Sequence, residues 1–224
     1  MAQASYEIEI KSLLGGRDHA DKLLERMKAA DPAFKKTGAS RQLNHYFEGS
    51  GNWDAVASAL SSDADKKEFL DLAHKAKDFS LRTRDADGNV LLVLKAAIDD
   101  TTSANGTARR EFDKAVNMSI DELDAIILKA GFTYQAKWSR EREEFSFSGA
   151  NVTIDKNAGY GYLAEFEKIE TDPARAEAAK SELRALMKSV GADELDQARL
   201  GRMFAYYNEN WHDYYGTDKI FVIE

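Results

Sequence analysis

Polar and apolar positions alternate with period two through Tyr6-Glu7-Ile8-Glu9-Ile10-Lys11, so a strand here carries Glu7, Glu9 and Lys11 on one face and Tyr6, Ile8 and Ile10 on the other. Past Gly15-Gly16 the period becomes helical: Leu23, Leu24 and Met27 recur within Arg17 to Ala30, and Asp31-Pro32 ends the run. Alternation returns from Ser40 to Glu48, with Gln42, Asn44 and Tyr46 against Leu43, His45 and Phe47. Gly49-Ser50-Gly51 then opens a stretch from Trp53 to Lys77 in which Val56, Ala59 and Leu60, then Phe69, Leu70 and Leu72, fall on helical spacing. It predicts one or two helices inserted between strands.

Phe79 to Arg84 and Asn89 to Ile98 read as strands of a hairpin, because Asp87-Gly88-Asn89 supplies the residues a tight turn needs. A polar loop, Asp99 to Thr107, leads to a strand from Ala108 to Asn117. Ser119-Ile120-Asp121-Glu122 is a capping box and Gly131 suits the end of the helix it starts. Tyr134 to Gly149, Ala150 to Asp155 and Tyr162 to Glu170 are three further strands. Asp172-Pro173 predicts a helix running to Val190, and a last helix from about Asp196 to Tyr214 carries Leu200, Met203, Phe204, Tyr207 and Trp211 on one face. The sum is an α+β chain: an antiparallel sheet of about eight strands with helices around it.

Charged residues recur two apart on the strands, at Arg82/Arg84, Arg109/Glu111, Arg140/Arg142 and Glu165/Glu167 as well as at Glu7/Glu9/Lys11. Taken singly, each pair reads as a solvated strand face or a cross-strand ion pair. Recurrence on several strands predicts instead a closed sheet, an eight-stranded antiparallel β-barrel, with an ionic interior.

The composition bounds the function. The chain has 224 residues, 43% of them apolar, enough for one well-cored domain over 1–224, with the helical insertion around 52–77 and C-terminal helices around 172–214. Cysteine is absent, which removes disulfides, thiolate metal sites and a cysteine nucleophile. No secretory signal opens the sequence and no apolar run approaches the ~20 residues that span a bilayer, so a cytoplasmic protein without a membrane partner is expected. A net charge of −8 argues against a nucleic-acid surface. An anionic ligand must then be met by basic residues concentrated in one place.

The ordered set of motifs resembles the CYTH superfamily, the triphosphate tunnel metalloenzymes, which includes class IV adenylyl cyclases, thiamine triphosphatases and inorganic triphosphatases. Glu7-x-Glu9-x-Lys11 resembles its ExExK signature, and Gln42-x-Asn44-x-Tyr46-Phe47 its second-strand pattern. Arg82-x-Arg84, Lys95, Arg109-x-Glu111 and Asp155…Gly159-x-Gly161…Glu165-x-Glu167 follow in the family's order. Arg140-x-Arg142-x-x-Phe145 departs from the family's K-x-R-x-x-Y, and the C-terminal aromatic region lacks the cyclase-like S-Y-x-x-L.

The resemblance implies a β-tunnel holding a triphosphate-containing small molecule, with Mg²⁺ or Mn²⁺ as cofactor. Arginine's planar fork suits phosphate oxygens, which fits Lys11, Arg82, Arg84, Lys95, Arg109, Arg140 and Arg142 to substrate. Carboxylates beside phosphate need a cation between them, and the resemblance gives that role to Glu7, Glu9, Asp155, Glu165 and Glu167, with Glu111 completing the catalytic set. Lys114, Lys137, Arg110 and Asp113 neighbour these motifs and could equally be exterior charges. His19, His45, His74 and His212 lack metal-ligand spacing and read as surface or packing residues.

The leading expectation is a metal-dependent phosphohydrolase acting on an inorganic or organic triphosphate. The alternative is a class IV adenylyl cyclase, which needs the same triphosphate clamp. A non-catalytic polyphosphate- or nucleotide-binding module comes third, since an anion binder gains nothing from the carboxylates. The oligomeric state, a homodimer being one option, is open at this level.

Overall fold

A computed structural model describes residues 6–97 and 109–224; Met1 to Ser5, Ile98 at the end of the strand expected from Asn89, the whole loop expected at 99–107 and the first residue of the following strand lie outside that range. Among the described residues the elements are β1 (Tyr6–Gly15), α1 (Arg17–Ala30), β2 (Lys35–Glu48), α2 (Trp53–Ala57), α3 (Asp63–Lys75), β3 (Asp78–Ala86) and β4 (Asn89–Ala97). There follow β5 (Arg109–Ala115), α4 (Ile120–Lys129), β6 (Thr133–Phe147), β7 (Ala150–Asn157), β8 (Gly161–Glu170), α5 (Ala176–Ser189) and α6 (Gln197–Asn210).

The strands hydrogen-bond in the order β1-β8-β7-β6-β2-β3-β4-β5, and the eight-stranded antiparallel sheet with helices is the expected α+β class. The order has two ends, β1 and β5, so among the described residues hydrogen bonds do not close the sheet into the ring that the ionic faces predict. On β1 a loop takes part of that edge: the Leu195 N–H donates to the Lys11 carbonyl at 2.7 Å. The chain divides into two compact units, residues 1–40 with 140–224 and residues 41–139, the divisions falling inside β2 and β6.

In the first unit the apolar face of β1, Ile8 and Ile10, joins Val152 and Ile154 of β7 and Phe166 of β8. The helical stripe Leu23 and Met27 of α1 and Leu183 and Met187 of α5 cover them. Strand parity makes this core and the ionic face inseparable, because burying Ile8 and Ile10 turns Glu9 and Lys11 the other way. Gly161 opens β8 at φ +72, and a Cβ there would lie 2.3 Å from the Gly15 carbonyl, so the turn requires glycine. Asp172 does cap the next segment, its Oδ1 accepting from the Ala174 N–H at 2.9 Å, but the turn it starts at Pro173–Arg175 is 3₁₀ and α5 follows only from Ala176. Further on, α6 ends at Asn210 and a 3₁₀ turn replaces its expected last residues. Of its stripe, Met203 and Tyr207 are buried whereas Phe204 is 42% exposed.

The second unit is built around the helical insertion. Val56 of α2, Leu60 of the link that follows it, and Phe69 and Leu72 of α3 share one core with Phe47 of β2, Leu81 of β3, Leu92 and Leu94 of β4 and Phe112 of β5. The Trp53 ring lies 4.7 Å from that of Phe132 and 5.1 Å from that of Phe79. Helix α4 starts at the predicted capping box: the Ser119 hydroxyl accepts from the Glu122 N–H and the Glu122 carboxylate from the Ser119 N–H. Its Leu123 and Ile127 close the core. No helix among the described residues is long and apolar enough to cross a membrane.

Candidate functional site

In the second unit the apolar core fixes which side chains share the opposite face. Leu81 and Thr83 of β3 point inward, so Arg82 and Arg84 share the other side with Asn44 and Tyr46, their register partners on β2. The Arg82 Nη1 donates to the Tyr46 hydroxyl at 2.8 Å, and its guanidinium carbon stands 5.2 Å from the centre of that ring. Arg84 Nε donates to Asn44 Oδ1 at 2.9 Å. Next along the sheet, Lys95 of β4 faces Glu111 of β5 in register and bonds it at 2.9 Å, while Arg82 Nη2 is 4.0 Å from the same carboxylate. Arg82 is 8% exposed, and its Nε is buried without a hydrogen-bond partner among the described residues. An orphaned buried donor carries a desolvation cost that an incoming acceptor would remove.

The first unit carries a denser ionic cluster. Glu9 and Lys11 of β1 stand opposite Glu167 and Glu165 of β8 in register. The Lys11 ammonium bonds Glu9 and lies 3.2 Å from Glu165. Across β7, Arg142 holds Asp155 with two bonds, Nε to Oδ1 at 2.7 Å and Nη2 to Oδ2 at 2.6 Å, and reaches Glu165 at 2.8 Å. Arg140 adds a bond of 3.2 Å to Asp155, which is 1% exposed. Burial acts to raise the Glu165 pKa, but the charges of Lys11, Arg142 and Arg140 outweigh it and hold the group at about 2. Burial works against the cation of Lys11 as well, and Glu165 and Glu9 overcome it, leaving that pKa raised.

A family model, the CYTH domain, matches residues 5–201. The chain belongs to the CYTH family. Solved structures repeat its fold: the PH1012 protein of Pyrococcus horikoshii OT3, at 16% identity, covers 84% of this chain and 92% of its own with a TM-score of 0.59. A proposed adenylate cyclase from Vibrio parahaemolyticus, at 15% identity, covers 91% and 99% with a TM-score of 0.57. A proposed adenylyl cyclase from Hippeastrum, whose dominant activity is that of a triphosphatase, covers 89% and 95% at 20% identity with a TM-score of 0.51. No curated protein matches the sequence.

The CYTH domain thus gathers the predicted residues into two groups. Arg82, Arg84, Lys95 and Glu111 share one face of the second unit, and Glu9, Lys11, Arg140, Arg142, Asp155 and Glu165 form a cluster in the first. For Glu7 and Arg109 the backbone register alone is described, Glu7 opposite Ile169 and Arg109 opposite Ala97. Lys114 turns to Asp65 at 3.6 Å and Lys137 to Asp124 at 3.8 Å. No group of three or more His, Asp or Glu able to hold a metal stands among the described residues. Glu9 and Glu167 face each other in register across β1 and β8, and Lys11 bonds Glu9. Asp155 is bonded by two arginines, Arg140 and Arg142.

One buried polar cluster has no counterpart in the motifs. Asp124 of α4, 2% exposed, accepts from the Thr83 hydroxyl at 2.7 Å and the Tyr134 hydroxyl at 2.6 Å, and its Oδ2 lies 2.6 Å from His45 Nδ1. Burial acts to raise its pKa, and the hydrogen bonds from His45, Tyr134 and Thr83 bring it below the usual carboxylate value. The signal that points to it is positional: Asp124 shares a helical face with Ile120, Leu123 and Ile127, where an acid is costly unless it has partners inside.

Proposed function

We propose that this CYTH domain is a metal-dependent phosphohydrolase that cleaves the terminal phosphoanhydride of a linear triphosphate. The observation that carries the reading is the pair Arg82 and Arg84. Arg82 Nη1 donates to the neutral hydroxyl of Tyr46, Arg84 Nε donates to the amide oxygen of Asn44, and Arg82 Nε is a buried donor without a partner among the described residues. Neutral acceptors orient a guanidinium without cancelling its charge, which is what an anion site requires. Lys95 adds a cation on the same face, and Arg109 on β5 is the next of the proposed phosphate ligands.

In the first unit the proposed basic residues are Lys11, Arg140 and Arg142, and Asp155 and Glu165 hold them in fixed directions. Glu9 and Glu167, with Glu7 two residues before Glu9, would hold Mg²⁺ or Mn²⁺, which when bound supplies charge neutralisation and polarisation of a phosphoryl oxygen. The protein's own part is positioning and charge. Arginines that keep their direction while a phosphoryl group departs stabilise the charge developing on its oxygens without reorganising. Glu111, bonded to Lys95, is placed to orient a water or to steer that lysine.

The test is a panel of inorganic triphosphate, thiamine triphosphate and ATP with Mg²⁺ and with Mn²⁺, scoring phosphate, pyrophosphate and cyclic AMP separately. The account expects phosphate as the product. Pyrophosphate and cyclic AMP in equal amounts from ATP would establish the cyclase instead. Tight binding of triphosphate with no turnover under either metal would leave only the binding module.

A further inference from the structure

The Asp124 cluster lies on the opposite side of β2 and β3 from Arg82 and Arg84, yet it touches the residues interleaved with them. His45 and Thr83 are direct cross-strand partners. Flanking them in the same ladder are the pairs Asn44 with Arg84 and Tyr46 with Arg82, which strand alternation places on the other face. Asp124 engages both members of the central pair, Thr83 through Oδ1 and His45 through Oδ2. Tyr134 of β6 anchors the same carboxylate, so one buried group ties α4, β2, β3 and β6.

A carboxylate is an expensive way to fill this position. Burying one costs several kcal/mol before its partners are counted, and apolar residues of similar size commonly serve stability as well or better. What a carboxylate supplies and an apolar side chain cannot is a directional tie on two specific residues. A one-residue slip between β2 and β3 would exchange inward and outward faces, and the bonds from Arg82 to Tyr46 and from Arg84 to Asn44 would be lost together.

Resting on the triphosphate reading above, we propose that Asp124 is a positioning residue for the phosphate-facing arginines: by bonding His45 and Thr83 it locks the β2–β3 register in which Tyr46 holds Arg82 and Asn44 holds Arg84. It acts through the sheet and touches no substrate. Thr83 is its most specific link, since a threonine hydroxyl buried to 0% exposure with its bond to Asp124 has a near-isosteric replacement that lacks only the hydroxyl.

The experiment compares Asp124→Asn, Thr83→Val and Thr83→Ser with the wild-type chain in three measurements: thermal unfolding, binding of sodium tripolyphosphate by calorimetry, and the ¹⁵Nε–¹Hε signals of Arg82 and Arg84, assigned by their loss in Arg82→Lys and Arg84→Lys. Asp124→Asn and Thr83→Val are expected to displace both arginine signals and to weaken tripolyphosphate binding about tenfold, whereas Thr83→Ser restores both. Hydrolysis should show the loss in KM more than in kcat. Folded variants with arginine signals and affinity unchanged would overturn the proposal and leave Asp124 as a packing group. If Asp124→Asn does not fold, Thr83→Val and Thr83→Ser decide alone. Should the wild-type chain itself fail to bind tripolyphosphate, the triphosphate reading falls, and the arginine signals still report whether Asp124 positions Arg82 and Arg84.

Discussion

Two arginines from two parts of this molecule are treated differently by the residues around them. Arg142 in the first unit is bonded by two carboxylates, Asp155 and Glu165, and its charge is cancelled where it stands. Arg82 in the second is bonded by a tyrosine hydroxyl and, among the described residues, its ion pair is the 4.0 Å approach to Glu111. Both are polar side chains on the ionic face of a strand, and sequence alone gives them the same role. The difference lies in the cross-strand partner: Asp155 stands opposite Arg142, and Tyr46 stands opposite Arg82. A charged partner makes a structural ion pair, and a neutral one keeps a guanidinium available to an anion.

If that contrast is right, the largest effect on stability comes from the first unit. Arg142→Ala leaves Asp155 buried with Arg140 alone, and stripping one partner from a buried ion pair costs about 3–5 kcal/mol. Urea unfolding should show a midpoint well below wild type; an unchanged midpoint would mean that the Arg142 pair with Asp155 does not hold this unit together.

Acid offers the next test. Glu165 is held at about 2 against an ordinary value of 4.5, a shift worth ~3 kcal/mol. A folded-state pKa that is lowered contributes stability fully present above 4.5 and lost as pH falls toward 2. Stability measured by urea unfolding should therefore fall between pH 5 and pH 2, a range set by those two values, and Glu165→Gln should flatten the fall. A variant that loses stability with the same slope as wild type would remove Glu165 from the cluster's energetics.

The smallest effect sharpens the comparison most finely. Tyr46→Phe keeps the ring against Arg82 and deletes only the hydroxyl that accepts from Nη1. The expected cost is about 1 kcal/mol in stability, with a several-fold rise in KM for triphosphate as Arg82 loses its fixed direction. A KM that does not move would show that Tyr46 packs against Arg82 without steering it.

Much of this was legible in the sequence, and what escaped has a physical reason. Helix α1 begins and ends where the apolar spacing, Gly16 and Asp31-Pro32 place it, and the Ser119 capping box forms as written. Strand β2 starts at Lys35, five residues before its expected first residue Ser40, because Lys35–Ser40 has no apolar face to alternate. There the strand is shaped by its neighbour: a Cβ on Gly38 would lie 2.9 Å from the Glu144 carboxylate. The ionic faces were readable from parity, since a strand that buries Ile8 and Ile10 must turn Glu9 and Lys11 outward from that core. Which arginines are neutralised was not readable, because that depends on register between strands distant in sequence, such as Arg142 with Asp155 and Tyr46 with Arg82. Asp124 escaped for the same reason, as His45, Thr83 and Tyr134 converge on it from three strands.

The central claim is that Tyr46 orients Arg82 for a phosphate, whereas Arg142 is held within a cluster of carboxylates. It is tested most directly by calorimetric titration of sodium tripolyphosphate into wild type and Arg82→Gln, with the urea midpoint of each measured alongside. The account predicts binding by the wild-type chain and a loss of about a hundredfold in Arg82→Gln, with a midpoint close to wild type. Equal affinity in the two proteins, or a loss of affinity matched by unfolding, would contradict it.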